Sequence, residues 1–249
     1  MNNSVVNVKQ FGAKGDATTD DRLAIQQAID TIEEGGCLYF PPGVYRVLAT
    51  TDTGNSVIET ETGTPADAPD FVILKLLKKK NLLITGHGAT LLNDRGYVFF
   101  GLLCENVTIR GLRIENIANP LGSSFVASSA GWEPAAILMN YSAWCRVEDC
   151  FVSGQYRAID FRRTTGCTIR GNSVFNNVYI AIATYGTLYQ PGGWTQKPLP
   201  EFFSNLSTYF DDSGVTIENN LVSSFLLGGI YTDGPGTGVN NRVEHPVDA

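Results

Sequence analysis

Residues 136–152 read AILMNYSAWCRVEDCFV, and residues 158–174 read AIDFRRTTGCTIRGNSV. The two stretches begin 22 residues apart and align without a gap. Cys145 falls on Cys167, Val147 on Ile169 and Val152 on Val174. Within each short run the apolar positions alternate with polar ones, as a strand with one buried face requires. The same run recurs as Leu82-Leu83-Ile84, Val107-Thr108-Ile109 and Val215-Thr216-Ile217. A repeat of this length made of short strands is the mark of a solenoid whose coils stack and share one core. The expected fold is therefore all-β, a single-stranded parallel β-helix, with Cys145 and Cys167 as core filler.

Stacking in register makes a prediction about charge. The outward position after the first strand reads Arg110, Glu148, Arg170, Glu218. At the ~4.8 Å spacing of neighbouring strands, alternating signs attract and repeated signs repel. Glu148 and Glu218 are thus expected to be structural. The corner that follows carries Gly111, Asp149, Gly171 and Asn219, then His87, Leu112, Cys150, Asn172 and Asn220. Asn tolerates the left-handed conformation of a sharp corner, and stacked Asn side chains bond successive coils. A further strand precedes each repeat: Ala136–Asn140, Ala158–Arg162, Ala181–Tyr185 and Gly229–Asp233. With its Ile and Met/Phe/Thr columns inward, the outward columns are Leu138, Asp160, Ala183, Tyr231 and Asn140, Arg162, Tyr185, Asp233.

Composition narrows the function classes. The 249 residues include 26 Gly, and only 17% are charged, too apolar for disorder and too rich in Gly for a helical bundle. The net charge of −7, with no basic block beyond Lys78-Lys79-Lys80, makes nucleic acid a poor partner. No apolar run is long enough to span a membrane, and the first ten residues lack an apolar signal core. Five cysteines in no CxxC pair argue against a disulfide framework and against structural zinc. No cofactor and no metal is expected, since no ligand spacing supports one.

Near the N-terminus, Leu23, Ile25, Ala28, Ile29 and Ile32 have helical spacing after Thr19-Asp20-Asp21, and Gly35-Gly36 stops the pattern. Thr19 or Asp20 suits the N-cap. A short helix here would cover the open end of the solenoid. One domain over 1–249 is expected, with 1–36 as N-terminal strand and capping helix and 37–249 as coils. Insertions interrupt the coils near 118–134 and 187–213. The last strand pattern, Val243-Glu244-His245-Pro246, falls mid-coil. An exposed final coil would favour association with a partner or with a second copy as a homo-oligomer.

Phe11-Gly12-Ala13-Lys14-Gly15-Asp16, Asp20-Asp21, Ala24–Ile29 and Tyr39-Phe40-Pro41-Pro42-Gly43-Val44-Tyr45 resemble the N-terminal signature of the pectate-lyase-like superfamily. That group takes in rhamnogalacturonase and polygalacturonase relatives, epimerase-like proteins and phage tailspike depolymerases. The resemblance implies a right-handed parallel β-helix, carbohydrate chemistry, and an extracellular or phage-associated setting. It does not set the reaction, because function is not given by fold. The chain departs from the polygalacturonase pattern: it has no Asn-Thr-Asp, no Asp-Asp on a core strand and no Arg-Ile-Lys. Catalytic residues are therefore not carried over, and Gly86-His87-Gly88 is read as a corner.

The outward columns supply the candidates instead. Asp160 and Asp233 are the paired carboxylates, about two strand spacings or ~10 Å apart at the backbone. Side-chain tilt could bring them near the roughly 6.5–9.5 Å of an inverting glycosidase. Arg162 would orient the substrate or hold a sugar carboxylate, and Tyr185 would donate a hydrogen bond or proton. Asn140, Tyr231, Trp132, Glu133, Trp194 and Tyr189 are the expected substrate contacts, the last four on the insertions. The leading expectation is a glycoside hydrolase acting on a polysaccharide or oligosaccharide. The alternatives are a uronate lyase or epimerase, and a non-catalytic carbohydrate-binding or tailspike-type adhesion module.

Overall fold

In the computed structural model the chain is a right-handed parallel β-helix. The structure describes residues 4–49, 72–117, 135–177, 179–185, 214–225, 228–233 and 236–244. The segments expected as insertions lie outside the described residues. Among the described residues, three all-parallel sheets of eight, eight and six strands run along the solenoid, and each full coil adds one strand to each. The first sheet includes Arg146–Glu148 and Thr168–Arg170, the second Phe151–Ser153 and Ser173–Asn177. The third includes Ala135–Asn140, Arg157–Arg162, Ile180–Tyr185 and Gly228–Asp233.

The register is the one the repeat implies. Val147 pairs with Ile169, Val152 with Val174 and Ile137 with Ile159. The inward residues form one contiguous core from Val8 to Val222. Cys145 and Cys167 lie in it, with the Cys145 backbone N–H donating to Cys167 Sγ at 3.3 Å. All five thiols are free, and burial pushes those of Cys104 and Cys150 up to about 12. On the outer side of the first sheet, Arg170 reaches Glu148 at 2.9 Å and Glu218 at 3.9 Å. Arg110 instead pairs with Asp149 on the adjoining corner.

The interior asparagines bond the coils at one corner. Asn220 donates from Nδ2 to the Ile169 carbonyl (3.0 Å), and its Oδ1 accepts from the Asn172 N–H (2.9 Å) and Nδ2 (3.0 Å). Asn172 and Asn241 repeat the pattern on either side. Removing Asn220 strands several buried polar groups, each of which costs about 1–3 kcal/mol. Asn220→Ala is expected to lower stability by about 2–4 kcal/mol. The urea unfolding midpoint checks this; a shift worth under about 0.5 kcal/mol would show that the ladder is dispensable.

At the N-terminal end the helix Arg22–Thr31 buries Ile25, Ala28 and Ile29. Its Gln26 clamps the edge strand of the third sheet, accepting from the Lys75 N–H at 2.7 Å and donating to its carbonyl at 3.2 Å. An edge strand so covered no longer offers free pairing groups at that point. The expected cap is corrected. The N-cap position is Asp21 and not Thr19, which lies in the strand Asp16–Asp20, while Asp20 Oδ1 does accept from the first helical N–H, that of Arg22, at 3.1 Å. Asp21 makes no cap bond, because its carboxylate turns back to accept the N–H groups of Lys14 (2.6 Å) and Gly15 (3.0 Å). His87 is likewise displaced from the asparagine column. Thr85 pairs with Arg110 but Thr90 with Arg113, so five steps stand against three and its turn is two residues longer. The imidazole rests over Gly111, where an added Cβ would approach within 2.6 Å.

Candidate functional site

The third sheet carries the expected columns in register. Asn140 pairs with Arg162, Arg162 with Tyr185, and Tyr185 with Asp233. Beside them Leu138 pairs with Asp160, Asp160 with Ala183 and Ala183 with Tyr231. The topology thus brings the backbones of Asp160, Arg162, Tyr185 and Asp233 onto one wall. Trp132, Glu133, Trp194 and Tyr189 lie outside the described residues.

The wall is not the open track that alternation suggests. Tyr97, Phe100, Leu102, Leu138 and Tyr141 form a second buried apolar cluster, separate from the main core. Asp160 is fully buried as well. Its role as an exposed acid is corrected: Oδ2 accepts from Arg162 Nε (3.0 Å) and Nη2 (2.5 Å) and from Arg157 Nη1 (3.2 Å). Its Oδ1 is buried with no hydrogen-bond partner among the described residues. A carboxylate enclosed between two guanidinium groups positions them and is not placed to protonate a glycosidic oxygen.

Arg157 is the residue that alternation hides. Ala136 and Ile137 both belong to the main core, as do Ala158 and Ile159. Two consecutive residues therefore face inward, and the residue before them faces out, as Ala135 does in the outer cluster. Strict period two would have turned Arg157 into the core. Its side chain is only 2% exposed, and Nη1 also donates to Tyr185 Oη at 2.7 Å. The guanidinium carbon lies 4.9 Å from the Tyr179 ring centroid and 5.1 Å from that of Tyr185. Buried cations of this kind gain from the negative faces of the rings.

The wall reaches solvent where these groups end. Arg162 has a side chain 20% exposed. Burial works against its charge, but the Asp160 carboxylate overrides it and holds Arg162 above the usual guanidinium range. Tyr185 is buried, and its ring lies tilted against that of Tyr231, with centroids 5.2 Å apart; Tyr231 is 39% exposed. Burial pushes the Tyr185 hydroxyl up to about 12, aided by Asp160 and opposed by Arg157 and Arg162. The phenol therefore keeps its proton through the neutral range. Asn140 is half-buried beside Arg162. Together these groups offer an anchored guanidinium, a neutral phenol and an exposed aromatic face. Among the described residues no cluster of three or more His, Cys, Asp or Glu side chains is placed to hold a metal.

Residues 5–66 match a family model described as rhamnogalacturonase A/epimerase, pectate lyase-like, which bears out the resemblance carried by the first coils. Mannuronan C5-epimerase AlgE1 of Azotobacter vinelandii is 39% identical over 87 residues, covering 33% of this chain and 6% of that protein. Alginate lyase 7 of the same organism is 60% identical over 43 residues, covering 16% of this chain and 5% of that protein. The chain thus spans less than a tenth of the length of either relative. The crystal structure of PfbA, a surface adhesin of Streptococcus pneumoniae, superposes with a TM-score of 0.54 at 18% identity. It covers 96% of this chain and 57% of the adhesin, so the shared feature is the β-helix itself.

Proposed function

We propose that the chain binds and modifies a uronate-containing polysaccharide at the solvent edge of the third sheet's outer wall. The observation that carries this is Arg162: a guanidinium held rigid by Asp160, partly exposed, beside the tilted Tyr185–Tyr231 ring pair. A planar guanidinium is suited to a carboxylate, and the exposed Tyr231 ring suits the apolar face of a pyranose. The names of the matching relatives, a mannuronan epimerase and an alginate lyase, lie in the same substrate class.

The chemistry follows from charge neutralisation. Once Arg162 balances the sugar carboxylate, the proton on the adjacent carbon becomes easier to remove, with an acid such as Asp233 taking it as the carboxylate and the Tyr185 phenol, which keeps its proton, supplying one. If the electron pair then expels the glycosidic oxygen, the product carries a new C=C bond. If a proton returns from the opposite face, the product is the epimer. Hydrolysis by Asp160 and Asp233 fits less well, since it needs an exposed acid at 160. A binding module without turnover is the second reading, favoured by the burial of Asp160 and Tyr185. An extracellular or phage-associated setting suits either.

The test is incubation of the chain with poly-mannuronate, polygalacturonate and neutral dextran in deuterated water. We expect action on a polyuronate alone, read as ultraviolet absorbance of an unsaturated end or as deuterium entering carbon-bound positions. New reducing ends with neither signal would overturn the proposal in favour of hydrolysis. Binding with no chemistry would leave the adhesion module.

A further inference from the structure

A second feature lies around the corner from the wall, where the third sheet turns into the first. There two left-handed residues per coil make the bend, Lys78 and Asn81, Leu103 and Asn106, Tyr141 and Trp144, Arg163 and Gly166; the second slot reads Asn81, Asn106, Trp144, Gly166 and Gly214, with φ between +51° and +70°. Asn and Gly enter this region at little cost, whereas an aromatic residue is disfavoured there. Trp144 nonetheless occupies the slot, and it is 51% exposed. Its indole leans over Gly166, where an added Cβ would come within 2.7 Å of Cδ1 and 2.9 Å of Nε1. The ring is thus seated on bare backbone, with glycine again at the next coil.

The surroundings of the ring are polar and ordered. On one side the ladder runs from Glu34 Oε1 to Asn81 Nδ2 (2.6 Å), then from Asn81 Oδ1 to Asn106 Nδ2 (2.8 Å). Asn106 Oδ1 then accepts from Arg146 Nη1 at 3.0 Å. On the outer face of the first sheet Arg146 is in register with Thr168, and Thr168 with Thr216, all half-buried. The corner neighbours of Trp144 are Asn106 and Gly166, so among the described residues of this corner column the exposed apolar surface is one ring. A stable protein interface needs roughly 800 Å² on each partner, far more than one indole. A flat ring on a corner whose column and adjoining sheet face carry amide, guanidinium and hydroxyl groups matches a pyranose, which has a C–H face and a polar edge.

We infer that Trp144 is the stacking platform of a second carbohydrate subsite, taking one pyranose of the same polymer as it passes from the wall round the corner. The choice of polymer rests on the proposed function; the platform itself does not.

The corner supplies its own control variant. Trp144→Asn installs the residue already used at positions 81 and 106, so the fold and the melting temperature are expected to be kept. Retardation in native gels containing poly-mannuronate, polygalacturonate or dextran reads the affinity of the whole chain. Trp144→Asn is expected to weaken polyuronate binding about tenfold, the scale of one aromatic contact, with Trp144→Phe restoring most of it. The rate at saturating polymer is expected to stay at the wild-type value. If Trp144→Asn binds like wild type while Arg162→Gln does not, the second subsite is wrong and the wall site stands. If only Trp144→Asn weakens binding, the wall site is wrong and the subsite stands. Failure of the wild-type chain to bind any of the three polymers would overturn both.

Discussion

Asp160→Ala is expected to lower stability by about 3–5 kcal/mol, the usual cost of removing one partner from a buried charge pair. The reason is local. Asp160 is fully buried and takes hydrogen bonds from both Arg157 and Arg162 through one oxygen. Without it two guanidinium groups lie side by side, one of them with a side chain only 2% exposed. Repulsion between them would push Arg162 outward and loosen Arg157 from the Tyr185 hydroxyl. Urea unfolding of the two chains measures the change. A loss below about 1 kcal/mol would mean that the carboxylate is not holding this cluster together. The experiment also separates two roles. A catalytic acid can be removed with the fold intact, whereas a buried counter-ion cannot.

Arg162→Gln is expected to reduce kcat/KM on a polyuronate by about 10²–10³-fold, the equivalent of losing a charge-assisted contact worth ~2.7–4 kcal/mol. Arg157 remains to balance Asp160, so the melting temperature should fall far less than in Asp160→Ala. Arg162→Lys keeps the charge but not the planar fork, and should recover only part of the loss. Steady-state rates on polyuronate at several salt concentrations give the comparison. A rate equal to wild type would remove Arg162 from the site, and with it the proposed uronate specificity.

Several elements were legible before any coordinates. The 22-residue offset between Cys145 and Cys167 correctly placed Val147 over Ile169 and Asn140 over Arg162, and the recurring strand pattern placed Tyr185 over Asp233 across the insertion. The sign alternation Arg110, Glu148, Arg170, Glu218 correctly gave the contacts of Arg170 with Glu148 and Glu218, while Arg110 turned to Asp149 instead. Asn172 and Asn220 were readable as a ladder because few side chains suit both a corner and a column of backbone amides. Arg157 was not readable, because two inward residues in a row, Ala158 and Ile159, break the period of two. Trp144 was passed over because its importance lies in a φ angle and in Gly166 beneath it.

The sequence by itself determined which residues lie above and below one another, since a solenoid stacks like on like and its spacing is written along the chain. Only the tertiary structure decided which of those residues meet water. Burial on the outer side of a sheet depends on what packs over it, and no periodicity records that. Asp160 shows the difference: its column and its strand could be read from the repeat, while its enclosure between two arginines depended on the wall around it.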